Sequence, residues 1–274
     1  MKNSASNRSA SGPPRRRKYD SRFVPALYGP WGPRLVADAR LAPGHRAVDI
    51  GCGTGALALA AASTVGPDGK VWGVDPSPEM LAVARLNPSA VEWLEGRAEA
   101  LPLPDDAVDA ALCQFAMMFV EDRPAAFREM ARVTRPGGEI RVAVPATLEE
   151  APGYMAFADL LGSLFGDEMR DGFARPFALL RPEALMEDAE AGGLAGETRL
   201  WPGEVQFATT GDLVSAEPAF AWLLGGLLDR DQFARLSAES EAILTPFRRD
   251  DGTCVFDLPA RVFSARAPGA GATA

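Results

Sequence analysis

The stretch Val48-Asp49-Ile50-Gly51-Cys52-Gly53-Thr54-Gly55 decides the fold. It ends an apolar run, Arg46–Ile50, that reads as a buried strand, and it leads into an alanine- and leucine-rich run over 56–62 that reads as a helix. Three glycines let the main chain turn tightly and let a ligand approach the backbone. The helix that follows presents N–H groups with no intrahelical partner. Asp75 ends the next apolar run, Lys70–Asp75, 20 residues after Gly55; an acid there can accept both hydroxyls of an adenosine ribose. Strand, glycine turn, helix and spaced acid together point to a nucleotide site at the carboxyl ends of the strands of an open α/β sheet. The competing reading is a tight turn without a ligand.

Working outward, the same alternation continues. Ser77-Pro78-Glu79 opens a helix with a capping hydroxyl, proline at the first helical position and an acid at the positive end. Further strands are expected at Val91–Leu94, Ala107–Cys113 and Glu139–Val144. A helix capped by Asp122 runs through Ala125–Val133, with Pro136-Gly137-Gly138 as its stop. Five strands separated by helices predict a doubly wound, parallel α/β sheet with helices on both faces. Upstream, a helix is expected to start near Pro33. Downstream, 147–180 reads as helical inserts or a lid, and Pro182–Ala191 as a helix. Residues 204–209 and 253–266, the latter interrupted by Pro259, read as late strands forming an antiparallel edge, with helical patterns at 212–228 and 230–247 between them. The expectation is a mostly parallel, Rossmann-like seven-stranded sheet with an antiparallel C-terminal edge and a helical cap.

Composition narrows the function classes. The chain has 274 residues, 47% of them hydrophobic and 24% charged, and a formal net charge of −9. No stretch approaches the ~20 apolar residues of a membrane span, and the start lacks the apolar segment of a secretory signal, so a cytoplasmic location is expected. Residues 1–18 carry six basic residues and no acidic one, leaving 22 basic against 37 acidic side chains in the rest. An acidic body repels phosphate backbones, so no nucleic-acid partner is expected. The basic tail suits RNA or an acidic surface, but its Ser, Asn, Pro and Arg content favours a disordered polar tail. Three cysteines (52, 113 and 254) and a single histidine, His45, give no metal-ligand or disulfide spacing.

Two nucleotide classes fit the turn. Gly51, Gly53 and Ala56 satisfy a dinucleotide fingerprint, so a nicotinamide-dependent oxidoreductase is one reading. No tyrosine stands four residues before a lysine, as a short-chain dehydrogenase would need, and the P-loop pattern is absent. The other is the class that a family resemblance implies.

The segments VDIGCGTGALALA, VWGVDPSPEML and GRAEALPLPDDAVDAALCQFAMMFVEDRPAAFREMARVTRPGGEIRVAV resemble the class I S-adenosylmethionine-dependent methyltransferases. They are most similar to the branch containing the ubiquinone/menaquinone-biosynthesis and many small-molecule methyltransferases. The resemblance covers about residues 44–145. It implies that S-adenosylmethionine is the cofactor and that the acceptor is a small molecule, methylated at O, N or C. It places Asp49, Gly51, Cys52, Gly53 and Gly55 around the methionine part and ribose, Asp75 on the ribose hydroxyls, and Pro76 and Met80 beside the adenine. Ala98 and Glu99 fall where the family reads the adenine edge, and Cys113 and Gln114 beside the sulfonium. Arg97 stands where the family has an aspartate; a guanidinium cannot accept from the adenine amino group, which leaves Glu99, a carbonyl or stacking. A non-catalytic relative of the fold is a third reading.

The resemblance also divides the chain. Residues 19–42 would form an N-terminal lid ahead of the core, 44–145, and 147–180 with 210–247 would form a substrate cap. Tyr19 and Tyr28 are the candidate catalytic phenols. Phe115, Met118, Tyr154, Phe157 and Phe173 are candidate pocket residues, although aromatic stripes at helical spacing more often form core. His45 reads as a solvated turn residue.

Overall fold

The computed structural model describes residues 24, 26–87, 89–178, 182–215 and 230–269. The expected basic tail, Tyr19 and most of the helical pattern at 212–228 lie outside them. Five parallel strands come first: β1 (Arg46–Ile50), β2 (Lys70–Asp75), β3 (Val91–Glu95), β4 (Val108–Gln114) and β5 (Thr134–Pro145). Between them run α2 (Ala56–Val65), α3 (Pro78–Ala84) and α4 (Arg123–Val133), preceded by α1 (Trp31–Asp38). Ser77 and Asp122 cap α3 and α4 through their side chains, and each helix has proline in its first turn, as their sequences predict.

Strand order is β3-β2-β1-β4-β5-β9-β6, where β6 is Gly196–Trp201 and β9 is Ala260–Arg266; β9 lies antiparallel between β5 and β6. Both faces of the sheet are covered, which is why its strands are apolar at successive positions rather than alternate ones. Ala47, Ala110, Leu112, Ala143 and Val262 pack under α1 and α2. Their strand neighbours Val48, Ala111, Cys113, Val142 and Phe263 pack under α4 and α7 (Pro182–Ala191).

The C-terminal edge departs from the sequence expectation. The sixth strand is Gly196–Trp201, a segment with no strand expected from its sequence. The run 253–266 is two strands broken at Leu258-Pro259: β9 enters the main sheet, while β8 (Cys254–Asp257) pairs with β7 (Glu204–Phe207) in a separate two-stranded ribbon. Proline lacks the N–H a ladder needs, so the chain changes sheets there. Likewise, Pro136-Gly137-Gly138 lies within β5 rather than stopping α4; the helix ends at Val133, and the ladder to β4 shifts register at Val108/Ala110.

A third apolar cluster forms over the carboxyl edge. It joins α5 (Pro152–Phe165), α6 (Asp167–Ala178), the β7–β8 ribbon, α8 (Thr210–Ser215), α9 (Arg230–Leu244) and the segment Ala26–Leu27. Tyr28 packs against both this cluster and the core beneath the sheet. Among the described residues, no helix is long and apolar enough to cross a membrane, and no group of three His, Cys, Asp or Glu could hold a metal ion.

Candidate active site

The carboxyl ends of β1, β2 and β4 meet at the glycine turn. Gly51, Gly53 and Gly55 all have positive φ, 69°, 54° and 98°, a region other residues enter at a cost. Close packing adds a second constraint at two of them. A Cβ on Gly51 would lie 2.3 Å from the Ala116 Cβ, and one on Gly55 would lie 2.4 Å from the Trp93 ring. The turn is tied to β2 by the Gly51 and Cys52 N–H groups, which donate to the Val74 carbonyl at 2.8 and 3.1 Å.

The two acids are fixed by main-chain donors. Asp75 accepts from Gly53 N–H and from Ser77 N–H, both at 2.8 Å. Asp49, only 2% exposed, accepts from Ala58 N–H at 2.9 Å and so caps the first turn of α2, which has no cap of its own at Gly55. Burial pushes the Asp49 carboxyl up to about 8; the Ala58 N–H opposes this and the nearby Asp75 charge adds to it. Burial also raises both neighbouring thiols, Cys113 to about 12, with the Asp49 charge contributing in each case. Neither cysteine is a thiolate nucleophile at neutral pH.

Among the residues expected beside the adenine, Pro76 is exposed and Met80 half-buried, with the Met80 N–H donating to the Ser77 hydroxyl at 3.3 Å. Arg97 bridges two acids: its Nη2 donates to Glu99 Oε1 at 3.1 Å and to Glu121 Oε2 at 3.2 Å. The Glu121 N–H donates to the same Glu99 oxygen at 3.3 Å. Burial would raise the Glu99 carboxyl, but main-chain N–H groups and Arg97 more than offset it, holding it below the usual carboxylate range. Glu99 is therefore already engaged by the protein, and Ala98 beside it is half-buried.

At the end of β4, Gln114 Nε2 donates to the Tyr28 carbonyl at 2.9 Å, and its Oε1 is buried without a hydrogen-bond partner. Phe115 follows with φ of 52°, a left-handed conformation that strains a bulky residue. Its ring lies 5.8 Å from Tyr28 and 5.5 Å from Trp31. Met118 is buried in the core. Tyr154 contacts Phe173, Phe177 and Phe256, and Phe157 contacts Phe173. Phe157 and Phe173 thus lie in the cap interior, while Tyr154 is close enough to Tyr28 for burial and that neighbour's charge to raise its phenol well above the ordinary value. His45 lies at the opposite, amino end of β1, where its Nδ1 accepts from Ala42 N–H at 3.3 Å.

Trp93 escapes sequence reasoning. It pairs with Gly73 across β2–β3, and a Cβ at Gly73 would lie 2.5 Å from its indole. The ring thus braces both Gly73 and the Gly55 turn. The available signal is a glycine within an apolar strand, which marks a close approach by another group.

A sheet in this order, with one antiparallel strand and a glycine turn flanked by two strand-end acids, defines the class I methyltransferase fold. Comparison with known proteins agrees. Residues 48–142 match the family described as a methyltransferase domain. The chain is 33% identical over 144 residues to the demethylmenaquinone methyltransferase of Bacillus mycoides, a match taking in 50% of this chain and 61% of that protein. The chain therefore spans less than two thirds of that curated relative. Among solved structures, a protein of Anabaena variabilis described as a methyltransferase from an antibiotic biosynthesis pathway superposes with a TM-score of 0.61 at 22% identity, covering 85% of this chain and 96% of that one. The [4+2]-cyclase SpnF superposes at 0.51 and 25% identity, covering 86% and 80%. Residues 48–142 thus match a methyltransferase domain, set within a fold shared with solved methyltransferase structures.

Proposed function

We propose that the protein transfers a methyl group from S-adenosylmethionine to a small, largely apolar acceptor. The observation that carries the reading is the pair Asp49 and Asp75 around the Gly51–Gly55 turn. Two carboxylates favour a ligand bearing a sulfonium and an ammonium and repel a pyrophosphate, which separates this reading from the nicotinamide one. When bound, the cofactor supplies a methyl group on an already activated sulfonium.

The chain's own part is to hold and orient. Asp75 takes the ribose hydroxyls with its remaining lone pairs. Asp49, Gly51, Cys52, Gly53 and Gly55 line the turn, Pro76 and Met80 flank the adenine, and Ala98 and Glu99 lie at its edge. Cys113 and Gln114 end β4 beside the reacting group. Tyr28 and Phe115, where core and cap meet, form the apolar wall for the acceptor, with Met118 behind them in the core and Tyr154, Phe157 and Phe173 behind them in the cap. A relative named for demethylmenaquinone supports a flat, apolar acceptor. Holding donor and acceptor in line can supply up to ~7–11 kcal/mol of the barrier. Because the sulfonium is already activated, no covalent nucleophile is needed, and Tyr19 and Tyr28 remain the candidate phenols, each of which would have to act as its phenolate to take a proton where the acceptor must lose one.

The test is calorimetry with S-adenosylhomocysteine and with NAD, followed by a label-transfer assay from S-adenosylmethionine over a panel of small phenols, amines and quinols. Turnover must be measured directly, because SpnF carries the fold under a cyclase's name. Tight NAD binding without S-adenosylhomocysteine binding overturns the reading.

A further inference from the structure

We infer that Gln114 couples cofactor occupancy to closure of the segment Ala26–Trp31 over the site: its Nε2 holds the segment, and its Oε1 takes the cofactor's α-ammonium. The inference rests on the methyl-donor reading above and adds a positioning residue and an order of assembly to it.

Gln114 is a side chain with only one of its two ends satisfied. It is 8% exposed, and its Nε2 is committed to the Tyr28 carbonyl. Turning the amide over would set Oε1 against that carbonyl, acceptor against acceptor, so the partner fixes the orientation. Oε1 is left as a buried acceptor with no partner. Buried polar groups are nearly always paired, and one left unpaired carries the full cost of its desolvation. Such an atom at the mouth of a ligand site is a place prepared for a donor.

Strand order selects the donor. Asp75 ends β2, Asp49 lies in β1 and Gln114 ends β4, and these three strands are adjacent. Gln114 is thus two strand spacings, roughly 10 Å, from Asp75. With the adenine beside Pro76 and Met80, as proposed above, a nucleoside whose ribose rests on Asp75 would extend its amino-acid end across β1 toward β4. The donor carried there is an ammonium, and hydrogen bonds from charged donors are the stronger ones in a desolvated site. Asp49, between the two, adds negative charge to the same end once the ligand's positive charge draws off its proton.

The other end of the amide belongs to the segment. Gly29 N–H closes a turn onto the Val24 carbonyl at 2.6 Å. The Phe115 ring, directly after Gln114, lies against Tyr28 and Trp31. Trp31 in turn packs over Gly203, where a Cβ would lie 2.2 Å from its ring. The end of β4 and the segment therefore form one packed unit, with the Gln114 carboxamide spanning it. A donor that fixes Oε1 also fixes Nε2, so the loaded site holds the segment shut before the acceptor is committed.

The experiment uses two nucleosides and two variants of the full chain. S-adenosylhomocysteine carries the ammonium, and 5′-methylthioadenosine lacks the whole amino-acid end. Calorimetry gives affinities, and hydrogen exchange reports the amides of 26–31. In the wild type, S-adenosylhomocysteine protects these amides and methylthioadenosine does not. Gln114→Leu should weaken S-adenosylhomocysteine by at least about tenfold, leave methylthioadenosine within about twofold and abolish the protection. Gln114→Glu, ionised beside the bound ammonium, keeps an acceptor for it but as a carboxylate cannot donate to the Tyr28 carbonyl. It should bind S-adenosylhomocysteine within a few-fold of wild type yet show no protection, and it keeps the test open if the leucine variant does not fold. Unchanged S-adenosylhomocysteine affinity in Gln114→Leu, equal losses for both nucleosides, or protection that persists in Gln114→Glu overturns the coupling alone. A wild type that binds neither nucleoside overturns the methyl-donor reading and the coupling with it.

Discussion

Replacing Asp49 by asparagine should stabilise the free protein and impair its cofactor site, and the two effects should move oppositely with pH. Burial sets the Asp49 carboxyl at about 8 in the folded chain, against an ordinary value of 3.8. Between these values the unfolded chain has released a proton that the folded chain retains. The group's contribution to stability is therefore fully present below about pH 4 and is lost as pH rises toward 8. At pH 7 the loss is at most about 4 kcal/mol, since each tenfold difference in proton affinity between the two states is worth about 1.4 kcal/mol. Asparagine keeps an acceptor for the Ala58 N–H and never ionises. Asp49→Asn should thus match the wild type near pH 4 and exceed it by up to about 4 kcal/mol at pH 7. At roughly 2–4 °C per kcal/mol for a chain of this size, thermal melts from pH 4 to 8.5 resolve the difference. Ligand binding reverses the preference, because the cofactor's positive charge favours the ionised acid. Wild-type affinity for S-adenosylhomocysteine should rise with pH and binding should release a proton, seen as calorimetric heats that depend on the buffer's ionisation enthalpy. In Asp49→Asn the affinity should be weaker and flat with pH. A variant less stable than wild type at pH 8, together with buffer-independent heats for the wild type, would refute the reasoning, since Asp49 would then be ionised before ligand arrives.

Four further outcomes are expected. Asp75→Ala removes the acceptor for Gly53 and Ser77 N–H as well as the ribose contact, and should weaken S-adenosylhomocysteine by about 2–4 kcal/mol in calorimetry; an unchanged affinity would exclude Asp75 from the site. Gly73→Ala forces the Trp93 indole off β2, costing about 1–3 kcal/mol in urea unfolding and weakening cofactor binding through the Gly55 turn; if only stability changes, Trp93 does not brace that turn. Phe157→Ala and Phe173→Ala, both in the cap interior, should each cost about 3–5 kcal/mol of stability while S-adenosylhomocysteine affinity holds. His45→Ala should retain most turnover and the wild-type pH–rate profile, because that turn lies at the far end of β1; a hundredfold loss in a folded variant would place it in the site.

The parts of the fold that were legible in the sequence are those with a local cause. β1, β2, β4 and the core of β5 are short apolar runs ended by turn residues, and α3 and α4 announce themselves by a capping side chain and a first-turn proline. The failures are non-local. Gly196–Trp201 carries Glu197, Arg199 and an exposed Leu200, because an edge strand needs only part of its surface to be apolar; what makes it a strand is β9 beside it. Pro259 could be read as an interruption, but not as the point where the chain leaves the ribbon for the main sheet, since that depends on which strands are already in place.

The site divides along the same line. Asp49 and Asp75 were readable because strand register alone carries them to adjacent strand ends. Arg97 was readable as a departure, but its clasp on Glu99 and Glu121 depends on the loop before α4 coming near. The aromatic residues of α5 and α6 give the same helical stripe whether they face a ligand or one another, and the packing of Phe157 on Phe173 decides it for that pair. Tyr28 differs from them in packing against both cap and core, and Tyr154, buried in the cap, lies near it. Acceptor choice should then be tuned at that seam, by residues held in place from a distance, while the strand-end acids proposed to hold the cofactor stay fixed by register. Substitutions at the seam should therefore change which acceptor is methylated and leave S-adenosylhomocysteine affinity in place, a separation that an acceptor panel run beside calorimetry on Tyr28→Phe and Tyr154→Phe would expose.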